Sequence, residues 1–136
     1  SLFNLGVGTQ KPFQKLEVHN VNSRKFDSLI MSLKFEGVTF RKNTKRNSYD
    51  IDFETNADAK LYTYGMLLLL EIWKNFPHLF KLDRIKAKSI EMFKKVTGTD
   101  TLWHCLLDGN EKKFKNTLNK GLEEYLLIRS KYLLYK

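Results

Sequence analysis

The chain predicts an α+β fold: a small sheet of about three strands packed on a buried central helix, followed by a helical C-terminal half. Three observations carry that expectation. Short stretches near 15–19, 38–41 and 48–54 alternate apolar and polar residues at the two-residue period of a half-buried strand. Residues 58–76 are too apolar for a one-sided surface helix, since Lys60, Thr63, Glu71 and Lys74 share one narrow stripe of a helix. Beyond Pro77 the apolar residues keep helical spacing, and glycines mark the breaks. Strands first and helices after is the α+β order.

In chain order, residues 1–14 hold two glycines, Gly6 and Gly8, and Pro12, which read as a shaped loop. Lys15 to His19 is a short strand with Leu16 and Val18 on one side. Ser23 is placed to cap a helix through about Leu33, with Phe26, Leu29, Ile30 and Leu33 on one face and Gly37 as its stop. Val38 and Phe40 form a second strand, and residues 42–47 a polar turn. Ser48 to Glu54 is the clearest strand: Tyr49, Ile51 and Phe53 face one way, Asp50, Asp52 and Glu54 the other. The central helix comes next. Its charged residues leave an uncharged run short of the roughly 18–20 residues a membrane span needs, so no transmembrane segment is expected. Gly65 inside it costs about 1 kcal/mol against alanine and is read as a point where another backbone comes close.

Asp83 is expected to cap a helix to Val96 that buries Ile85, Met92, Phe93 and Val96, stopped by Gly98. Asp100 or Thr99 opens a short helix with Leu102, Trp103, Leu106 and Leu107, closed by Gly109. Asn110 caps the next piece, carrying Phe114 and Leu118, and Gly121 divides it from a last helix over Leu122 to Lys131. Residues 132–135 fold back on the core. At 136 residues, 42% hydrophobic and 29% charged, the chain reads as one domain over 1–136 and not as a disordered polymer. It opens on Ser1 and shows no signal peptide, which suits a processed product or a piece of a longer protein.

The net charge of +9 is spread along the chain, with nine basic and six acidic groups in 1–56 and the rest beyond. Nucleic acid, an anionic cell-wall glycan and a solvated lysine-rich surface all fit that balance. His19, His78, His104 and Cys105 lack zinc spacing, so neither metal nor cofactor is expected. His104 and Cys105 diverge by about 100° on a helix and make no dyad. Asp50 and Asp52 share a strand face, an arrangement commoner as a solvated side than as the paired acids of a glycosidase. The Gly6–Thr9 loop lacks the lysine of a phosphate-binding loop. The tyrosines and tryptophans of the apolar stretches, Tyr62, Tyr64, Trp73 and Trp103, read as core before sugar platforms.

The last third of the chain adds a resemblance. Phe93 to Leu102 with Gly98-Thr99-Asp100, the glycine at 109, Gly121-Leu122-Glu123, and Ile128-Arg129 with Lys131 to Tyr135 are similar to the C-terminal end of the exo-β-N-acetylmuramidase (NamZ-type) family. Asn4-Leu5, Gly8-Thr9 and Pro12-Phe13 resemble that family's glycine-rich stretch. The strand from Ser48, Gly65 and the leucine-rich helix ending at Pro77 resemble the family's next region along the chain. The resemblance spans nearly the whole chain but only the C-terminal part of the family's plan. It implies an accessory domain partnered by an N-terminal Rossmann-like catalytic domain that holds the carboxylate machinery. It also implies a peptidoglycan fragment as ligand and a place outside the cytoplasm; beside it, the basic charge leaves a nucleic-acid-binding module as the lesser alternative, and a structural or interaction domain without small ligand as the third. The family's arginine is missing beside Gly8, its glutamate after Pro-Phe is Gln14, and its proline- and tyrosine-containing segment is reduced to 42–47. On this reading no residue is catalytic in the chain alone, and Asn4, Gly8, Thr9, Asp50 and Asp52 are the expected substrate-binding residues.

Overall fold

The computed structural model describes residues 3–5, 10, 14–45, 47–54, 60–81 and 85–132. The chain divides into two compact units, Ser1–Lys81 and Leu82–Lys136. The first holds the sheet and the second is helical, so the α+β expectation holds.

In the first unit the elements are β1 (Phe3–Asn4), β2 (Lys15–Val18), α1 (Ser23–Ser32), β3 (Val38–Lys42), β4 (Ser48–Phe53) and α2 (Leu61–Asn75), then a 3-10 turn at Pro77–Phe80. The sheet is antiparallel with order β1-β2-β4-β3. The three expected strands are there, and the two-residue β1 is a fourth, formed by part of what reads as loop in the sequence. Pairing alone makes it a strand, because Phe3 and Asn4 lie opposite Val18 and Glu17.

One sheet face is apolar. Leu16, Val18 and Tyr49 are buried there against Phe26, Leu29 and Ile30 of α1. Phe26, fully buried, meets Tyr49 and Phe76 edge-on with ring centroids 6.0 Å away from each, so a single ring ties α1, β4 and the end of α2 together. Helix α1 starts at Ser23 itself, so its cap lies one residue before the expected one: the Asn22 side chain, not that of Ser23, accepts from the Lys25 amide at 3.1 Å. It ends at Ser32, well before Gly37, because Leu33 turns to extended backbone. Gly37, at φ 69°, instead makes the turn into β3.

Helix α2 is covered on several sides over its second half, where Leu70 and Ile72, on opposite sides of the helix, are buried and Met66 to Leu69 are half-buried, whereas Leu61 and Tyr62 of its first turn are exposed. Gly65 is exposed too. A Cβ placed on it would have nothing within 4 Å, so no backbone approaches it among the described residues. The remaining aromatics divide: Tyr64 stacks on Phe35 at 4.7 Å and Trp73 is half-buried.

The second unit comprises α3 (Ala87–Thr97), α4 (Thr101–Leu107) and α5 (Glu111–Tyr132). Gly98 closes α3 in the left-handed region at φ 69°, and Gly109 follows α4 at φ 71°. Asn110 caps α5 by accepting from the Lys113 amide at 2.9 Å. Leu102, Trp103, Cys105 and Leu106 of α4 and Phe114 and Leu118 of α5 are this unit's core. Two expectations fail. Helix α3 buries none of its residues; Met92 and Val96 are exposed, and Phe93 reaches only the edge of Trp103. Gly121 does not divide the last helix, which runs unbroken for 22 residues. The expected cap Asp83 and the terminal residues 133–135 lie outside the described residues. No helix among the described residues is long and apolar enough to cross a membrane.

Candidate functional site: the polar face of the sheet

Directly opposed residues of antiparallel strands share a face. The register puts Asn4 opposite Glu17, Glu17 opposite Ser48, Lys15 and Arg41 opposite Asp50, and Thr39 opposite Asp52. All of them therefore line the face turned away from Tyr49 and α1. Of the five residues expected to bind, Asn4, Asp50 and Asp52 come together here. Gly8 and Thr9 lie outside the described residues.

The face is a lattice of opposite charges and amides. The Asn4 amide donates to Glu17 at 3.3 Å, and Lys15 pairs with the same carboxylate at 3.0 Å. The hydrogen bond from Lys15 holds the Glu17 carboxyl below its ordinary range, with the charges of Lys15, His19 and Lys45 acting in the same direction. Asn43, just past β3, donates to the Ser48 hydroxyl at 2.8 Å and to Asp50 at 3.3 Å. Arg41 reaches diagonally past Asp50 to Asp52 at 2.9 Å. Shielding falls across the sheet: the side chains of Lys15 and Glu17 are 17% and 13% exposed, those of Arg41 and Asp52 61% and 50%.

Asp50 and Asp52 are two residues apart on one strand, roughly 7 Å along it. Each already accepts from a neighbour, so the pair presents a planar row of donors and acceptors rather than two acids across a cleft. Hydroxyl-rich or amide-bearing ligands can exchange with water on such a row. Among the described residues no three of His, Cys, Asp and Glu are grouped to hold a metal.

Sequence reading missed Lys15, Glu17, Arg41 and Asn43. The alternation of β2 and β3 sets their side, but only the strand register brings them next to Asp50 and Asp52. The apolar face carries a second cluster. Tyr49 donates its hydroxyl to Asp27 at 2.5 Å, and Lys42 pairs with the same carboxylate. Lys42 first and Tyr49 second lower the Asp27 pKa, while burial and then Asp27 raise that of Tyr49. Cys105 is buried and its thiol pKa is raised by burial, whereas His104 beside it is exposed, so the two do not act together.

A four-stranded antiparallel sheet with one polar, ion-paired face, followed by a separate helical unit, is the class of protein this chain forms. The chain belongs to a family: residues 2–135 match the one described as exo-beta-N-acetylmuramidase NamZ, C-terminal. Its fold is similar to the crystal structure of a DUF1343 family protein from Bacteroides fragilis, with a TM-score of 0.75 at 21% sequence identity. That similarity covers 99% of this chain and 38% of the other, so the chain spans well under half of that protein's length. Comparison with curated proteins gives no significant match.

Proposed function

We propose that the chain is the accessory domain of an exo-β-N-acetylmuramidase-like glycoside hydrolase, binding glycan or the catalytic domain through the polar sheet face and not catalytic alone. The observation that carries this reading is the family match over 2–135. The geometry supports the binding role, because Asn4, Asp50 and Asp52 fall on one face with Lys15, Arg41 and Asn43. A muramic acid residue offers hydroxyls, an acetamido group and a carboxylate. Arg41 and Lys15 suit the carboxylate, and the acids and Asn43 suit the hydroxyls and amide. The exposed residues Leu61, Tyr62 and Gly65 of α2, and Leu126, Leu127 and Ile128 of α5, are apolar surface suited to a partner domain. The partner is an N-terminal Rossmann-like catalytic domain, and the assembly works on peptidoglycan fragments outside the cytoplasm.

The test is a titration of the chain with a disaccharide ending in N-acetylmuramic acid, followed by amide chemical shifts. Shifts should concentrate at Asn4, Lys15, Arg41, Asp50 and Asp52. Arg41→Ala should weaken binding about tenfold, the loss of one charge-assisted hydrogen bond. Shifts confined to other surfaces, or an Arg41→Ala variant that binds as well, would remove the glycan role from this face.

A further inference from the structure

Nothing among the described residues requires glycine at position 65. Gly65 is the fifth of the fifteen residues of α2, and its backbone is ordinary helix, unlike the left-handed Gly37, Gly98 and Gly109. A Cβ built there would meet nothing within 4 Å, so no described neighbour needs the space. Glycine nevertheless costs stability in a helix interior, because it gives up more backbone freedom on folding than any other residue. Neither backbone conformation nor packing among the described residues accounts for that cost.

The face around Gly65 is apolar and bare. At about 100° per residue, Leu61, Tyr62 and Gly65 fall within roughly 100° of arc. Leu61 is 49% exposed and Tyr62 44%. The charges of this segment, Lys60, Glu71 and Lys74, lie on the opposite side of the helix. Two turns on from Gly65 the same side is closed, with Ile72 buried. The chain therefore covers the far end of this face and leaves the Gly65 end open. A missing Cβ on a helix face lets a second helix come to the short end of the usual packing range, about 8 Å between axes.

We infer that the first half of α2 is the seat of the catalytic domain, which lays a helix across Gly65 between Leu61 and Tyr62. This rests on the accessory-domain reading above and divides its two roles between two surfaces: the polar sheet face is left to the glycan, and α2 holds the protein partner. The family matched over 2–135 is described as a C-terminal part, and the crystal structure that this fold resembles holds further chain beyond it, so the fold occurs joined to more protein. The chemistry of the face agrees. Its lack of charge suits the centre of a protein contact, where charged residues are depleted, and offers little to a hydroxyl-rich sugar or an anionic polymer.

The test titrates the full chain with the N-terminal part of a family muramidase, made as a separate polypeptide, and reads association by calorimetry. Gly65→Ala should weaken association about tenfold and Gly65→Leu about a hundredfold, since each added carbon holds the two helices further apart. Both side chains enter open space, so neither variant should lower the unfolding midpoint of the isolated chain. Arg41→Ala, on the polar face, should leave association unchanged. Association that Gly65→Leu leaves intact, or that Arg41→Ala abolishes, would overturn the inference and leave the accessory reading standing. Failure of the unaltered chain to associate would remove both. Self-association of the chain in sedimentation, abolished by Gly65→Leu, would make a second copy the occupant and overturn the inference as well.

Discussion

Tyr49 faces two environments at once. Its ring is buried against Phe26, and its hydroxyl donates to an Asp27 carboxylate that Lys42 also holds. The two pKa shifts have opposite signs, and each sets one limb of the stability profile. Asp27 binds its proton less readily folded than unfolded, so its contribution is full above its ordinary value of 3.8 and is lost as pH falls through the lower, folded value. Tyr49 keeps its proton more tightly folded, so its contribution is full below 10.0 and is lost as pH rises towards the raised value. Tyr49→Phe should therefore cost roughly 1.5–3 kcal/mol at neutral pH, the range for a hydrogen bond to a charged group. It should also flatten the alkaline limb, and Asp27→Asn should flatten the acid one. Urea unfolding of the three proteins between pH 2 and 11 measures both, and an alkaline limb unchanged in Tyr49→Phe would contradict the assignment.

Among the elements, α2 shows where periodicity informs and where it stops. Gly65 sits within the helix with empty space around it, so alanine there removes a helix penalty and meets nothing. Gly65→Ala should stabilise the isolated chain by about 1 kcal/mol, a rise in midpoint of roughly 3 °C. If the catalytic domain covers this face, the same change should weaken association with it. A calorimetric midpoint that falls in the isolated chain would mean that the helix is not as described. The strands were legible because alternation is a local signal, and the turn glycines Gly98 and Gly109 announced themselves in the same way. Other features depend on what lies far away in sequence. Two residues become β1 only through β2. Helix α1 stops at Ser32, ahead of Phe35, which meets Tyr64 of α2. Gly121 costs about 1 kcal/mol in a helix, too little by itself to divide one anchored by Phe114 and Leu118. The apolar spacing of α3 identified a face but not a partner for it, and Met92 and Val96 remain open. The candidate site follows the same division: Asp50 and Asp52 were readable as neighbours, and their cationic partners were not.

At the scale of the whole molecule, the question is whether this chain cuts glycan by itself. The described residues show two carboxylates side by side on one strand face, each accepting a hydrogen bond from Arg41 or Asn43. Glycosidic hydrolysis usually needs two acids on either side of the scissile bond, one to protonate the leaving oxygen and one to attack or to activate water. Two acids side by side on one strand face can touch one side of a sugar but do not flank its bond. Incubated alone with a chromogenic muramic acid glycoside, the chain should release no chromophore. With a catalytic domain of the family added, release should appear and should rise with the amount of chain until the pair is saturated. The net charge of +9 offers a control, because contacts that rest on exposed cations such as Arg41 weaken as salt shortens the reach of charge to about 3 Å at 1 M. Stimulation that survives such salt would assign the association to apolar surface such as Leu61 and Tyr62, and turnover by the chain alone would overturn the accessory role.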